Sequence, residues 1–176
     1  EVTSLGIQVH GGMGFVEETG AAQHYRDARI LAIYEGTNGI QAGDFTGRKV
    51  LGDEGRELRA LIEELRADDL GELGAPINEG LDLMAQGVDW LLANAADDPF
   101  VPGSASFNFV MLAGCVISGA CLAKAAAAAA GDFGDQKMAT AAFYCAHVLP
   151  RAHAYVRSMT AGAAVTMAIP ADAFAG

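Results

Sequence analysis

A run of 24 residues from Phe107 to Ala130 constrains the fold more than any other feature of the sequence. Its strongly polar side chains are Asn108, Ser118 and Lys124, so it could cross a bilayer as a helix of ~20 residues. Alanine and glycine supply nearly half of its positions and contribute little transfer energy, and neither an aromatic belt nor a basic cluster flanks it. We therefore expect a central helix of a bundle, buried all round, and no membrane insertion.

Helical periodicity continues on both sides of this run. Apolar residues follow the i, i+3, i+4, i+7 pattern over roughly residues 54–67, and a similar spacing covers residues 77–92 before a break near Asp98–Pro99. After a turn at Gly131 and Gly134, the spacing resumes and reaches a kink at Pro150. Since β-branched stretches are short, the sequence predicts an all-α fold, a helical bundle.

The charge of the chain excludes one class of partner. Eleven basic residues against 22 acidic ones give a net charge of −11, whereas a protein that binds a phosphate backbone needs a cationic face. The excess is concentrated in residues 51–98, where it fits the solvated faces of amphipathic helices. We expect no nucleic-acid partner.

The cysteines and histidines indicate neither disulfides nor a metal site. Cys115, Cys121 and Cys145 lie in apolar segments without CxxC spacing and are interpreted as buried reduced thiols. His147 and His153 are six residues apart and cannot share a helical face as metal ligands. No secretory signal is visible, which favours a cytoplasmic location. The start at Glu1, without a methionine, suggests a piece of a longer polypeptide.

The N-terminal region carries two glycine-rich breaks. QVHGGMGF occupies residues 8–15, YEGTNGIQ occupies residues 34–41, a helix is expected over Ala21–Ile33, and another resumes after the second break. Taken alone, the first break fits a turn between helices or a backbone that approaches a flat or phosphorylated ligand.

Glu35 is the first candidate for acid–base chemistry. It ends the apolar run ILAIY and precedes a glycine, so its carboxylate would be partly desolvated, a setting that suits a general base. The alternative is an ordinary exposed glutamate in a loop.

The two glycine-rich motifs and the intervening YRDARI at residues 25–30 together resemble the C-terminal region of the acyl-CoA dehydrogenases, over residues 4–49. The acidic, alanine-rich continuation resembles the methylmercaptopropionyl-CoA dehydrogenase-like subgroup, which has an extra C-terminal helical domain. The resemblance implies that residues 1–50 end the helical dehydrogenase domain and that residues 51–176 form the appended domain.

This resemblance implies a reaction and its residues. An acyl-CoA thioester is oxidised to a trans-2-enoyl-CoA, with Glu35 abstracting the α-proton and with Tyr34 and Gly36 beside the substrate. The amide of Glu35 would also stabilise the thioester oxygen. FAD is implied as cofactor, and its contacts carry over to Gln8, Val9, His10, Gly11, Gly12, Thr37, Asn38 and Gly39. The first five residues would meet a flavin bound mainly by a neighbouring subunit.

The resemblance also implies a homodimer or homotetramer and an electron-transfer flavoprotein as electron acceptor. His10 could be a polar group of the site or a histidine packed at a helix end, and Arg26, Asp27 and Arg29 are expected to form a structural ion-pair network. Two other functions stay open: a flavin-binding relative that does not dehydrogenate, and a helical interaction module.

Overall fold

The computed structural model describes residues 1–174, in which all regular secondary structure is helical. This confirms the all-α prediction. The chain divides into two compact units, unit 1 from Glu1 to Gln41 and unit 2 from Ala42 onward. The α-helices are α1 (Val2–Val9), α2 (Gly12–Phe15), α3 (Ala21–Ile30), α4 (Asn38–Asp44), α5 (Arg56–Arg66), α6 (Gly74–Asn94), α7 (Val101–Ala128), α8 (Gly131–His147) and α9 (Arg151–Met159).

Unit 1 consists of short helices in which α1 packs against α2 and α3. Gly14 of α2 is buried directly against the backbone carbonyl of Ile7 in α1, where a Cβ atom would clash. The absence of a side chain at Gly14 is therefore what lets these two helices approach. Arg26 pairs with Glu17 at 3.1 Å, whereas Asp27 and Arg29 form no ion pair among the described residues, so the expected network of these three residues does not form.

Unit 2 is a bundle with α7 in contact with α6, α8 and α9. Gly80 and Gly87 of α6 face α7, and added Cβ atoms there would lie 3.2 Å from Val116 and 3.3 Å from Phe109. Small residues on α6 thus bring the two longest helices close together. The side chains of the core that are less than 2% exposed include Ile77, Leu81, Met84, Val88, Leu91, Phe109, Leu112, Val116 and Met159.

A π-helical turn, Phe45–Val50, belongs to unit 2 by its packing. The Phe45 ring lies 5.1 Å from the Phe109 ring between centroids, and Val50 is 1% exposed within the core. Asp53 then caps α5, since its carboxylate accepts hydrogen bonds from the amides of Gly55 and Glu57, both at 3.0 Å.

The prediction that α7 is buried on all sides is wrong. The helix is long and apolar enough to cross a membrane, and 50% of its most apolar window is buried inside the protein. Phe107 is 50% exposed and Met111 is 37% exposed, because α6, α8 and α9 cover only part of its circumference. The absence of membrane insertion stays a prediction.

Other helix ends differ from the sequence expectations by a few residues. α3 ends at Ile30 instead of Ile33, and α8 already begins at Gly131 instead of after a turn at Gly134. Pro150 separates α8 from α9 instead of kinking one helix. The breaks at Gly11 and Gly36 and the break near Asp98–Pro99 occur as predicted.

Candidate active site

The turn between α3 and α4 places Glu35 in an uncommon backbone conformation. Glu35 has φ = 56° and Gly36 has φ = 95°, both in the left-handed region. For a residue with a Cβ atom this conformation costs ~1–2 kcal/mol, whereas glycine adopts it freely. The strain at Glu35 therefore has to be balanced by contacts that hold the turn.

Contacts from α4 hold this turn. The Gln41 side-chain Nε2 donates a 2.7 Å hydrogen bond to the Glu35 carbonyl oxygen, and the Ile40 amide donates to Thr37 Oγ1 at 3.4 Å. The turn also leaves no room for a side chain at Gly36, where a Cβ atom would lie 3.2 Å from Gln41 Nε2 and 3.3 Å from Ile40 Cγ2. The conformation of Glu35 is thus fixed from its C-terminal side.

The Glu35 carboxylate points to an open surface. Its residue is exposed, and within residues 1–174 its carboxylate makes no hydrogen bond or ion pair. The expectation of partial desolvation is wrong for the described chain, because Leu31, Ile33 and Tyr34 before it are also at least half exposed. The carboxylate is free to meet a ligand, and no side chain of unit 1 shields it from water.

The segment from Gln8 to Gly12 ends α1 and is exposed throughout. Gly11 has φ = 61°, and a Cβ atom added at Gly11 or Gly12 would meet nothing within 4 Å. The backbone here is open to a ligand that needs close approach. His10 Nδ1 donates to the Gly6 carbonyl oxygen at 3.0 Å, which ties the ring to the helix end and leaves Nε2 as its other polar atom.

Thr37, Asn38 and Gly39 form the exposed start of α4. A Cβ atom at Gly39 would meet only Thr37 Oγ1, at 3.8 Å. Among the described residues, no hydrogen bond joins this segment to the segment from Gln8 to Gly12. By contrast, Tyr34, Glu35 and Gly36 lie in one turn with Thr37.

Gln41 closes the YEGTNGIQ motif, but its residue type alone indicates no role for it. A glutamine six residues after a candidate base, in the first turns of a helix, is the signal that could have identified it. Its contact with the Glu35 carbonyl cannot be read from periodicity, because it depends on two consecutive left-handed residues.

Unit 2 contains a cluster of titratable groups with a structural role. The Tyr144 hydroxyl donates to the Cys115 carbonyl oxygen at 2.9 Å, and burial raises the pKa of Tyr144 to about 12. Burial also raises the pKa of the thiols of Cys115 and Cys145, so neither is activated as a nucleophile. Cys121 is exposed and Cys115 is partly buried, so the expectation of buried thiols is confirmed for Cys145 and wrong for Cys121.

The histidines of unit 2 lie in separate surroundings. His153 Nε2 lies 3.1 Å from a Glu79 carboxylate oxygen, and the His147 ring lies 4.7 Å from the Phe143 ring between centroids. In the described part of the chain, no group of three or more His, Cys, Asp or Glu side chains could hold a metal ion.

Comparisons of the sequence with known proteins identify one family. The family model "Acyl-CoA dehydrogenase, C-terminal domain" matches residues 1–49, and "Acetyl-CoA dehydrogenase C-terminal like" matches residues 55–170. The first match includes the complete Glu35 turn, and the second covers most of the bundle.

Relatives of known activity agree with these models. The chain is 47% identical over 167 residues to 3-methylmercaptopropionyl-CoA dehydrogenase of Ruegeria pomeroyi, covering 85% of this chain and 28% of that protein. It is 31% identical over 169 residues to a broad-specificity linear acyl-CoA dehydrogenase of Mycobacterium tuberculosis, covering 82% and 28%. The pig mitochondrial short-chain specific acyl-CoA dehydrogenase is 60% identical over 40 residues, covering 23% and 10%.

The chain thus spans less than a third of the length of these relatives. The family models and the two long alignments nevertheless agree on its place within such proteins. The chain belongs to the acyl-CoA dehydrogenase family and corresponds to the C-terminal domains of its members.

Proposed function

We propose that the protein is an FAD-dependent acyl-CoA dehydrogenase that converts an acyl-CoA thioester to a trans-2-enoyl-CoA, with Glu35 as the α-proton base. Residues 1–50 would complete the dehydrogenase domain, and residues 51–176 would form an appended helical domain. The observation that carries the proposal is the Glu35 turn: a carboxylate without an internal partner, on a backbone that Gln41 holds in a left-handed conformation.

The chemistry of this turn follows from its atoms. The Glu35 carboxylate would take the proton from the carbon α to the thioester carbonyl, and the electron pair of that C–H bond would form the new double bond. As negative charge develops on the thioester oxygen, the backbone amide of Glu35 would donate a hydrogen bond to it. Gly36 would lie beside the thioester, and the exposed Tyr34 would border the acyl-CoA.

The open glycine backbones fit the proposed cofactor. Bound FAD would supply the acceptor for the hydride that leaves the β-carbon. Gly11 and Gly12 offer an exposed backbone with no obstructing atoms, which suits the close approach of a pyrophosphate, with Gln8, Val9 and His10 beside it. Thr37, Asn38 and Gly39 would contact a second FAD, which implies a homodimer or homotetramer.

The substrate class and the physiological setting are parts of the same proposal. The relatives include a 3-methylmercaptopropionyl-CoA dehydrogenase, a broad-specificity linear acyl-CoA dehydrogenase and a short-chain specific acyl-CoA dehydrogenase, whose names share an acyl-CoA. We therefore propose an acyl-CoA substrate, an electron-transfer flavoprotein as electron acceptor, a cytoplasmic location and no insertion into membranes.

Replacing Glu35 by Gln in the full-length enzyme tests the proposal, because the amide keeps the shape of the side chain and cannot take a proton at neutral pH. We expect kcat to fall by ~10²–10⁴-fold with the FAD content unchanged. Glu54→Gln is a matched control, since Glu54 is an exposed glutamate with φ = 60° and should leave kcat unchanged.

The same measurements separate the alternatives. Turnover of Glu35→Gln at the wild-type rate would refute the assignment of the base. A wild-type protein that binds FAD but whose flavin absorbance is not bleached by any member of an acyl-CoA panel would be a flavin-binding relative without dehydrogenase activity.

A further inference from the structure

We propose that Gln41 is a positioning residue for the proposed base: its side-chain amide fixes the backbone at Glu35 and thereby aims the carboxylate and the Glu35 amide at the substrate. This inference rests on the proposed function of Glu35. It adds a residue whose side chain contacts the backbone of the turn and for which we propose no contact with substrate or flavin.

The backbone of Glu35 has a strained conformation. Among the described residues, the two that carry a side chain and have positive φ are Glu35 and Glu54. Such a conformation persists only where the surroundings over-determine it. At Glu35 the side chain that supplies this constraint is Gln41, whose 2.7 Å bond equals that from Thr19 to Met13 as the shortest side-chain hydrogen bond described in unit 1.

The hydrogen bond from Gln41 also fixes the direction of the peptide group between Glu35 and Gly36. Because peptide bonds are trans and planar, the Glu35 carbonyl and the Gly36 amide point in opposite directions. When Gln41 Nε2 holds the Glu35 carbonyl, rotation of this peptide group is blocked. Without this bond, a change in ψ of Glu35 would swing the Glu35 amide and the Cα–Cβ bond relative to α4, and the carboxylate would move with them.

The Gln41 side chain packs closely over Gly36. A Cβ atom at residue 36 would lie 3.2 Å from Gln41 Nε2, so the amide reaches the carbonyl by passing over a residue without a side chain. Gln41 itself is anchored by its own amide, which donates to the Thr37 carbonyl oxygen at 3.0 Å in the first turn of α4. The backbone of Gln41 is therefore held in α4, and its side chain in turn holds the Glu35 turn.

Variants at residue 41 of the full-length holoenzyme test this role. Gln41→Met keeps the length of the side chain and removes the donor, Gln41→Glu places an acceptor against the Glu35 carbonyl, and Gln41→Lys keeps an N–H donor. Gln23→Met is the matched control, because Gln23 is exposed on α3 and its side chain makes no hydrogen bond within the described residues.

We expect Gln41→Met and Gln41→Glu to lower kcat by ~10- to 100-fold, since a misplacement of about 1 Å has effects of that size. KM should change by less than about threefold, because ground-state binding is retained. Gln41→Lys should recover most of the lost kcat, and Gln23→Met should behave as wild type. Recovery by a donor of different shape is an outcome that loss of packing alone would not produce.

Wild-type kcat in Gln41→Met, or a kcat of Gln41→Lys as low as that of Gln41→Met, would overturn the proposal. If Gln41→Met does not retain FAD, Gln41→Glu is decisive, because it preserves length and polarity: reduced kcat with bound FAD supports the role, and wild-type kcat contradicts it. Glu35→Gln in the same series separates the two proposals. If Glu35→Gln is inactive and Gln41→Met is fully active, only the role of Gln41 is wrong; if Glu35→Gln is active, the proposed base is wrong.

Discussion

Unit 1 and unit 2 differ most in where their apolar side chains lie. In unit 1 the buried residues are Gly14 and Ala22, neither of which has a large side chain. Unit 2 has a continuous core drawn from α5 to α9. The exposed large apolar residues of unit 1 are Val2, Leu5, Val9, Met13, Phe15, Val16, Tyr25, Ile30, Leu31, Ile33, Tyr34 and Ile40.

The sequence motifs and the larger hydrophobic core therefore belong to different parts of the chain. A segment of about 40 residues rarely buries enough surface to be stable without other support. The apolar side chains of unit 1 are therefore available to pack against a further surface, whereas the helices of unit 2 satisfy one another. Glu35, the candidate base, therefore lies in unit 1, the unit with the smaller hydrophobic core.

The largest expected effect comes from the core of unit 2. Phe109→Ala removes a fully buried ring that packs on Phe45 and should lower the free energy of unfolding of the chain by ~3–5 kcal/mol. Phe15→Ala in unit 1 is the matched change at a ring that is 82% exposed, and it should cost less than ~0.5 kcal/mol. Urea unfolding followed by the fluorescence of Trp90 in α6, the single tryptophan, measures the loss in unit 2, and hydrogen exchange of α1 and α3 measures the loss in unit 1. Equal losses would break the comparison between the units.

An intermediate loss of stability is expected for a substitution at the contact between α1 and α2. Gly14→Ala would place a Cβ atom against the Ile7 carbonyl oxygen and should destabilise unit 1 by ~1–3 kcal/mol. Gly12→Ala is the control, because its Cβ atom would meet nothing within 4 Å. Hydrogen exchange should accelerate in α1 and α2 and stay unchanged in α6 and α7. Faster exchange throughout unit 2 as well would show that the two units unfold together.

The smallest expected effect is a loss of stability of unit 2 at alkaline pH. Because burial raises the pKa of Tyr144 to about 12 in the folded protein, the folded state holds this proton more tightly than the unfolded chain does. The stability contributed is present at neutral pH and is lost as the pH rises from 10 to about 12. Tyr144→Phe should flatten this part of the pH profile at a cost below ~1.5 kcal/mol at neutral pH.

Urea unfolding across that pH range, with Tyr25→Phe in unit 1 as the control, measures the effect. The control should keep the wild-type slope, because Tyr25 is 41% exposed and lies outside the core of unit 2. An unchanged slope in Tyr144→Phe would assign the alkaline loss of stability to other groups.

Much of the fold could be predicted from local sequence. Apolar spacing located α5 and α6 within a few residues, and the glycine and proline breaks located the ends of α1 and the gap between α6 and α7. The family motifs identified Glu35 as the candidate base by resemblance. The surroundings of Glu35 could not be predicted, because an apolar run such as ILAIY is buried only if another surface covers it, and unit 1 provides none.

The helical nature of the chain, its family and the chemical identity of the candidate base could all be predicted from the sequence. These properties depend on residues close together along the chain, since helical periodicity repeats every 3.6 residues and the motifs are contiguous. The tertiary structure decided that α7 is buried on one side only and that Gly14 permits α1 and α2 to touch. It also decided that Gln41 holds Glu35 in a left-handed conformation. The physical reason is that burial and side-chain hydrogen bonds depend on the three-dimensional path of the backbone, which local spacing does not specify.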